Sequence, residues 1–380
     1  NMKKFFLSLV VIISGLFFTF YGCNKGSGDE ILIGEFGSLS GSEATFGISS
    51  TNGLKLAVEE MNNSGGLLNK KIKLITYDDQ GKPSEAQTVV QRLIKNDNVV
   101  AVIGEVASSR SKAGAPICQQ NKIPMITPAS TNPEVTAIGD YIFRVCFIDP
   151  FQATVVSKFI INTLKLKRVA ILKDVKNAYS TGLSDFFEKE FKTMGGEIVE
   201  IQSFQAGDKD FKAQLTSIKA KNPEAIFIPA YYTDVNLISI QAREIGITVP
   251  LIGSDGWESE KLTEGKAKDA LEGCFFSTHV STENPDPAIQ NFITKYKAKY
   301  NSMPDAMSFL AYDAGMILFD AMKRAGTTDP EKVKNELAKT KDYNGVTGKI
   351  SINEQRNAIK PAVILEIKGG QFKYKETVAP

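Results

Sequence analysis

The chain has 380 residues, of which 42% are hydrophobic, and its 45 lysine and arginine residues nearly balance its 43 aspartate and glutamate residues. Charges of both signs are interspersed, which excludes the clustered basic face of a nucleic-acid-binding protein. A chain of this length can bury a large hydrophobic core and predicts two domains.

The first 23 residues have the pattern of a secretory signal peptide. Lys3 and Lys4 precede an uncharged, largely apolar stretch over residues 5–20, and the small residue Gly22 follows. As a helix, this stretch would be about 24 Å long at roughly 1.5 Å per residue, short of the roughly 30 Å hydrocarbon core of a membrane. The sequence therefore predicts a cleaved signal over residues 1–23 rather than a membrane-spanning anchor.

Cys23 follows Gly22 directly, and this pair resembles the bacterial lipoprotein signal, in which the cysteine is acylated and becomes the mature N-terminus. Two or more acyl chains give a stable membrane anchor, whereas a single chain is marginal. Residues 24–30, which contain Gly and Ser, predict a flexible tether. We expect a protein of the cell envelope, in the periplasm or at the outer face of the cytoplasmic membrane, with a lipid anchor on Cys23.

Beyond residue 30, apolar strands alternate with amphipathic helices. Five predicted strands come first, with the sequences ILIGEF, KIKLITYDD, VVAVIGEV, PMIT and YIFRV. Continuous apolar strands separated by helices are typical of a parallel sheet covered on both faces. After Pro150 the alternation starts again with RVAILKD, EIVEIQSF, AIFIPA and PLIGSD, which predicts a second doubly wound domain.

The C-terminal part of the chain is expected to return to the first domain and then to end in a hairpin. The strand GCFFSTH is followed by two helical patterns, AIQNFITKYKAKY and AMSFLAYDAGMILFDAMKRAG. We expect this segment to lie with the first lobe. The final AVILEIKGGQFKYKE predicts two strands joined by a Gly-Gly turn.

Two successive strands of the first series end in loops rich in hydroxyl groups. VVAVIGEV leads into Ser108, and PMIT leads into Ala129, Ser130 and Thr131. Ligands of open α/β sheets bind at such strand ends. Ser108 begins a helical pattern, and the unpaired amides and positive dipole end of a helix favour an anion there. These loops predict a carboxylate site, although Ser108 alone is also typical of an ordinary helix cap.

Few residues are suited to catalysis or metal binding. His279 is the only histidine, which leaves almost no material for a histidine-based triad or a multi-histidine metal site. We expect it to be structural or exposed. Asp78 and Asp79 are typical of a solvated turn rather than a catalytic dyad. The pattern predicts no cofactor, no metal and no enzyme activity.

The remaining cysteines do not indicate a disulfide framework. Cys118, Cys146 and Cys274 are an odd set in apolar surroundings. Such residues are typically buried free thiols.

Several motifs in order resemble the periplasmic leucine/isoleucine/valine-binding proteins, which are the type I substrate-binding proteins of ABC transporters. They are GSLSG, VIGEVASSRS, PMITPASTNPEVT, YSTGL and DAGMILFDAM. The resemblance covers nearly the whole chain after the signal and implies two doubly wound parallel-sheet lobes joined by three hinge crossovers. The implied first lobe contains residues 31–147 and 277–359, and the second contains residues 148–276 and 360–380.

The resemblance also implies a site for an amino acid between the lobes. In such a site the hydroxyls and amides of Ser108 and Thr131, with Ser130 beside them, hold the α-carboxylate. The carbonyl of Ala129 accepts a hydrogen bond from the α-ammonium. The position at which the family places an acidic partner for the ammonium falls on Asp255. This chain has Asp there, which is one methylene shorter than the Glu of the branched-chain receptors.

Aromatic residues complete the implied pocket. Tyr179 and Tyr231 match tyrosines that close over the ligand, and Phe46 falls where an aromatic residue walls the side-chain pocket, with Met307 or Phe309 as further lining. Without the resemblance, Tyr231 and Phe46 are also typical of packing residues. The family's cysteine pair near the cleft falls on Gly81 and Ala107, so that disulfide is not expected here.

The predicted function is that of a solute receptor. We expect it to bind an amino acid, of the branched-chain class by default, and to deliver it to the permease and ATPase of an ABC importer. An envelope-anchored sensor of amino acids or amides, which presents its closed form to a signalling partner, is the alternative.

Overall fold

The computed structural model describes residues 30–380, so the predicted signal peptide and Cys23 lie outside the described residues. The first series of strands forms a five-stranded parallel sheet in the order β2-β1-β3-β4-β5. Its strands are β1 (Glu30–Gly37), β2 (Lys71–Asp78), β3 (Ala101–Ile103), β4 (Met125–Thr127) and β5 (Ile142–Arg144). The helices between them are α1 (Ala44–Asn63), α2 (Pro83–Lys95), α3 (Ser108–Gln120) and α4 (Glu134–Ala137).

The second series builds a separate sheet. Its helices are α5 (Asp149–Lys158, continued by a π-turn over Phe159–Thr163), α6 (Ala178–Thr193), α7 (Lys212–Ala220), α8 (Tyr232–Glu244) and α9 (Ala267–Ala270). Its strands are β6 (Arg168–Asp174), β7 (Glu197–Phe204), β8 (Ala225–Phe227), β9 (Leu251–Gly253) and β10 (Phe275–Thr278). Every residue of β3, β4, β8 and β9 is buried, as expected for parallel strands covered on both faces.

The chain then returns to the first lobe. The helices are α10 (Pro287–Tyr300), α11 (Ala306–Ala325) and α12 (Pro330–Ala338), and α11 packs along α1. A three-stranded antiparallel sheet follows, with β11 (Tyr343–Gly345), β12 (Gly348–Ile352) and β13 (Ala358–Ile359). The sequence did not predict this sheet, because its strands are too short to show an alternating pattern.

The predicted C-terminal hairpin completes the second sheet. β14 (Ala362–Lys368) and β15 (Gln371–Val378) pair antiparallel about Gly369 and Gly370, both of which have positive φ angles. The sheet has the order β15-β14-β10-β9-β8-β6-β7. The chain passes between the two lobes three times, over residues 145–148, 279–286 and 360–361.

The two-lobed α/β architecture expected from the resemblance is therefore present. All four residues of β10 pair within the second sheet, so the expected boundary after residue 276 falls inside this strand. The domain limits stay a prediction. Within residues 30–380, no helix combines the length and the apolarity that a membrane crossing requires.

The three cysteines of the described part are buried and unpaired, as predicted. Cys118 lies in the first lobe, Cys274 in the second, and Cys146 in the first crossover between them. Burial raises the pKa of the Cys146 thiol to about 12. A thiol of this kind is unreactive, because the thiolate is the nucleophilic form.

A buried cluster of charges joins the loops that carry Gly81 and Ala107, the positions of the missing cysteine pair. Arg110 of α3 forms ion pairs with Glu43 at 2.7 Å and with Glu105 at 3.1 Å, and all three side chains are almost fully buried. The hydroxyl of Ser38 lies 2.9 Å from Oδ1 of Asp79 and 2.9 Å from Oε1 of Glu105. This cluster ties the β2–α2 loop to the β3–α3 loop without a covalent bond.

Asp79 corrects the sequence analysis, which expected a solvated turn at this position. Its exposed fraction is 0%. Burial, together with the nearby Glu105, raises the pKa of Asp79 to about 7. The adjacent Asp78 ends β2 and is half-buried, and its carboxylate accepts hydrogen bonds from the backbone N–H groups of Leu39 and of Gln80 in the turn that follows.

Replacing Arg110 should destabilise the fold strongly. Arg110→Met leaves Glu43 and Glu105 without their cation in a buried site, which should lower the free energy of unfolding by about 3–5 kcal/mol. Lys112→Met on the same helix is the matched control, because the ion pair of Lys112 with Glu134 is exposed and should contribute less than about 1 kcal/mol. Urea unfolding measures both, and equal small losses would contradict a structural role for the cluster.

Candidate ligand-binding cleft

Residues from both lobes meet in a small cleft at the carboxyl ends of the strands. Most of the predicted site residues line it: Phe46, Ser108, Ala129, Tyr179, Tyr231 and Asp255, together with Val106, Gly256 and Met307. Ser108 follows β3, Ala129 follows β4, Tyr231 follows β8 and Asp255 follows β9. Parallel strands place these ends at one edge of each sheet, and the two edges face each other across the cleft.

Ser108 is the first residue of α3, as predicted. The residue that precedes the helix is Ala107, whose side chain cannot cap the helix start, and its own N–H donates to the carboxylate of Glu105. The Ser108 hydroxyl instead accepts a hydrogen bond from the backbone N–H of Asn132 at 3.3 Å. It therefore links the two hydroxyl-rich loops, and the uncapped, positive end of α3 is directed toward the cleft.

Thr131 and Ser130 stand behind this edge and do not line the cleft in this conformation. The Thr131 hydroxyl is buried and has no hydrogen-bond partner. The Ser130 hydroxyl is engaged with the framework, since it lies 2.7 Å from the hydroxyl of Ser111 and 2.9 Å from the carbonyl oxygen of Glu105. Ser130 thus holds the β3 and β4 loops together, whereas the Thr131 hydroxyl lies near the Asp149 carboxyl group without a well-formed hydrogen bond.

Asp255 lies on the opposite wall, where it begins a single 3₁₀ turn after β9. Its Oδ1 accepts hydrogen bonds from the Tyr179 hydroxyl and the Gln152 side-chain amide, both at 2.9 Å. Its Oδ2 lies 3.2 Å from Nε2 of His279. Within residues 30–380, no lysine or arginine forms an ion pair with Asp255. The acid is thus surrounded by uncharged donors.

A second buried acid nearby does not compete with Asp255. Asp149, at the start of α5, has an exposed fraction of 0%, and neither of its carboxyl oxygens has a hydrogen-bond partner. Burial raises the pKa of Asp149 to about 8. It is therefore mostly protonated and neutral at pH 7.

Aromatic rings form the walls between the two polar ends. Tyr179 and Tyr231 stack with ring centroids 5.3 Å apart, and Phe46 meets Tyr231 edge-on at 5.4 Å. Met307, at the start of α11, completes the apolar lining, whereas Phe309 is buried in a separate cluster with Phe292. Of the two residues proposed for this wall from the sequence, Met307 lines the cleft and Phe309 does not.

The lobes are closed on each other in this structure. The Asn132 side-chain amide donates to the carbonyl of Ala178 at 2.8 Å, and the Tyr232 hydroxyl donates to the carbonyl of Ser42 at 3.0 Å. The remaining space in the cleft is about 10 Å³, which is about the room that one water molecule requires. A larger guest can enter only when the lobes separate, as in hinge-bending receptors.

A larger cavity of about 740 Å³ lies beside the cleft. Glu258 and Asp305 line it, and burial raises the pKa of Glu258 to about 8 and that of Asp305 to about 6. By volume alone, this cavity would be the better candidate for the ligand-binding site. The small cleft is the better candidate site, because there the start of α3 and the buried Asp255 face each other at the carboxyl ends of the strands.

Sequence reasoning missed two residues of the site, Gln152 and His279. Both are buried and both donate toward Asp255. Gln152 lies in α5, where it also binds the hydroxyl of Ser277 at 2.9 Å, and nothing in its helical pattern marks it. His279 could have been found, since it directly follows a strand. Contrary to the exposed alternative, its side chain has an exposed fraction of 0%.

Among residues 30–380, no three His, Cys, Asp or Glu side chains are grouped as a metal ion would require.

Comparison with known proteins agrees with the fold and the cleft. A family model described as "Periplasmic binding protein" matches residues 30–371. The chain belongs to the periplasmic binding protein family. Its members are solute receptors located outside the cytoplasm, so this family membership places the chain in an extracytoplasmic compartment and among receptors rather than enzymes.

Individual relatives extend the match over nearly the whole chain. A leucine-, isoleucine-, valine-, threonine- and alanine-binding protein of Pseudomonas aeruginosa is 30% identical over 93% of this chain and 94% of its own length. A leucine-binding protein of Thermotoga maritima has a TM-score of 0.87 and 38% identity, with 92% of this chain and 99% of that chain covered. A third relative is a branched-chain amino acid transporter substrate-binding protein of Streptococcus pneumoniae, crystallised with isoleucine. It has a TM-score of 0.87 and 34% identity, and the match covers 92% of this chain and 100% of that chain.

Thr131 offers a test of the carboxylate end of the cleft. Thr131→Val keeps the side-chain shape and removes a hydroxyl that has no partner in the closed structure. The free energy of unfolding should change by less than about 1 kcal/mol, because the hydroxyl lies near the Asp149 carboxyl group but forms no well-formed hydrogen bond. Affinity for a carboxylate ligand should fall about tenfold, corresponding to roughly 1.5 kcal/mol for a hydrogen bond to a charged group.

Calorimetric titration and thermal unfolding of the same preparation measure the two effects of Thr131→Val. Ser130→Ala is the control, because its hydroxyl is engaged in the framework and its loss should lower stability. Unchanged affinity in Thr131→Val would exclude Thr131 from the carboxylate site.

Proposed function

We propose that this chain is an extracytoplasmic receptor that binds an α-amino acid in the interlobe cleft and delivers it to an ABC importer. The observation that carries the proposal is the pairing of the uncapped start of α3 on one wall with the buried Asp255 on the other. An α-amino acid is a zwitterion. It can leave water only where each of its charges meets a fixed partner.

The carboxylate end of the ligand is assigned to the first lobe. Ser108 and the amides at the start of α3 supply donors without a formal charge, and Thr131 supplies a hydroxyl. Donors of this kind, together with the helix dipole, hold a carboxylate without a cationic side chain.

The ammonium end is assigned to Asp255, with the carbonyl of Ala129 as a second acceptor. Both residues line the cleft. Because the donors to Asp255 are uncharged, its negative charge is not cancelled within the protein. A cationic group of the ligand is the partner that this site lacks.

The ligand's side chain is assigned to the apolar walls. Phe46, Tyr179, Tyr231 and Met307 leave a small space without charged groups, which favours a short aliphatic side chain. The relatives support this assignment, since the Pseudomonas protein is named for leucine, isoleucine, valine, threonine and alanine, the Thermotoga protein for leucine, and the Streptococcus protein was crystallised with isoleucine. We therefore propose a branched-chain amino acid as the ligand.

Delivery to a transporter follows from closure. The contacts between Asn132 and Ala178 and between Tyr232 and Ser42 exist only when the lobes meet. A ligand that contacts both lobes shifts the receptor toward this closed form. We propose that the permease of an ABC importer recognises it, as the transporter-linked name of the Streptococcus relative supports.

Neutralising Asp255 tests the proposal. Asp255→Asn keeps the size of the side chain but removes the charge that faces the ammonium, so binding should weaken by about 2–5 kcal/mol. Calorimetric titration of the wild type and the variant with leucine, isoleucine and valine measures this loss.

Glu260→Gln is the matched control for Asp255→Asn, because Glu260 lines the larger cavity instead of the cleft. Its affinity should match that of the wild type. A loss of binding in Glu260→Gln with none in Asp255→Asn would place the ligand in the larger cavity and overturn the assignment.

We further propose that the receptor is attached to the membrane through a lipid on Cys23. The support is the sequence pattern alone: a basic start, an apolar stretch, and Gly22 before the cysteine. Cys23→Ser should convert a protein that partitions with detergent into one that stays in the aqueous phase. Mass spectrometry of the mature N-terminus provides the direct reading, and an unmodified Cys23 in membrane-free protein would contradict the anchor.

A further inference from the structure

We propose that His279, the only histidine of the chain, is a positioning residue that orients Asp255 toward the ammonium group of the ligand. This inference rests on the proposed function, because it takes Asp255 as the partner of the ammonium. Its own basis is a hydrogen bond, an aromatic stack and the place of His279 in the chain.

The hydrogen bond fixes one oxygen of the carboxylate. Nε2 of His279 lies 3.2 Å from Oδ2 of Asp255, while Tyr179 and Gln152 both donate to Oδ1. The histidine is thus the one donor to Oδ2 within the described residues. Without it, the carboxylate could rotate about its Cβ–Cγ bond and present a different edge to the ligand.

The stack fixes the imidazole ring itself. The rings of His279 and Phe147 have centroids 3.8 Å apart and planes within 24° of parallel. Phe147 lies in the first interlobe crossover, residues 145–148, and His279 begins the second, residues 279–286. The ring of the second crossover therefore packs on the first crossover, and its hydrogen bond connects the hinge to the acid of the cleft.

The charge state of His279 suits this role. The groups that face its ring are Asp255 and Lys360, the latter from the third crossover. Burial lowers the pKa of His279, so the ring is neutral at pH 7. Because a carboxylate can only accept, Nε2 carries the ring hydrogen and Nδ1 is the bare nitrogen, which is buried without a partner.

A neutral donor such as the His279 imidazole can orient the Asp255 carboxylate without cancelling its charge, whereas a cationic side chain cannot. An arginine or lysine in place of His279 would form an ion pair with Asp255 and cancel the charge that the ammonium needs. The imidazole N–H orients the carboxylate and leaves its charge for the ligand. Gln152 acts in the same way on Oδ1, but it is also held by Ser277.

Two complementary substitutions distinguish the hydrogen bond of His279 to Asp255 from its stacking on Phe147. His279→Phe keeps an aromatic ring against Phe147 and loses the donor, whereas His279→Gln keeps an N–H near the position of Nε2 and loses the ring. We expect His279→Phe to raise the Kd of the preferred branched-chain amino acid at least tenfold and His279→Gln to raise it less than threefold. Circular dichroism and thermal unfolding of both variants show that the fold is retained.

A ligand without the ammonium group distinguishes positioning from a structural role. For leucine this analogue is 4-methylpentanoate, which keeps the carboxylate and the side chain. His279→Phe should leave its Kd within twofold of the wild-type value. In an Asp255→Asn background, His279→Phe should have little further effect on leucine, because coupled residues are not additive.

The outcomes are distinct. Equal weakening of leucine and 4-methylpentanoate in His279→Phe, or equal losses in the Phe and Gln variants, would show a structural role and overturn the inference. Unchanged leucine affinity in His279→Phe would overturn it as well. Failure of the wild type to bind any amino acid would instead remove the proposed function, and with it the premise of this inference.

Discussion

A buried carboxylate that has donors but no cation is the feature on which the cleft depends. Burying an ionised acid is costly unless its charge is compensated, and Asp255 receives hydrogen bonds only from uncharged groups. The compensation is therefore incomplete in the protein alone. In the site that we propose, the ammonium group of the ligand completes it, which couples binding to closure of the two lobes.

The fold supplies the geometry that this requirement imposes. Parallel strands deliver loop residues to one edge of each sheet, so Ser108 and Ala129 reach the cleft from one lobe while Tyr231 and Asp255 reach it from the other. Three crossovers allow these edges to approach and separate. The buried ion cluster around Arg110 holds the loops of the first lobe in place, so that closure does not deform them.

The two lobes contribute unlike chemistry to the site. The first lobe offers dipoles and hydroxyls, which stabilise an anion without adding a formal charge of their own. The second offers an acid and two tyrosine rings. Neutral Asp149 and neutral His279 lie close to that acid, and each is kept neutral by burial. A single uncompensated charge is thereby presented to the cleft instead of a diffuse acidic surface.

The sequence by itself determined the alternation of strands and helices through its local hydrophobic patterns, and its motifs, by their resemblance to a known family, implied the two-lobed fold and most residues of the cleft. Only the tertiary structure decided the surroundings of those residues. Nothing local distinguishes buried Asp79 from its half-buried neighbour Asp78, nor marks Gln152 and His279 as donors to Asp255. Their roles arise where segments far apart in the chain pack together and exclude water, and that exclusion sets the charge and orientation of each group.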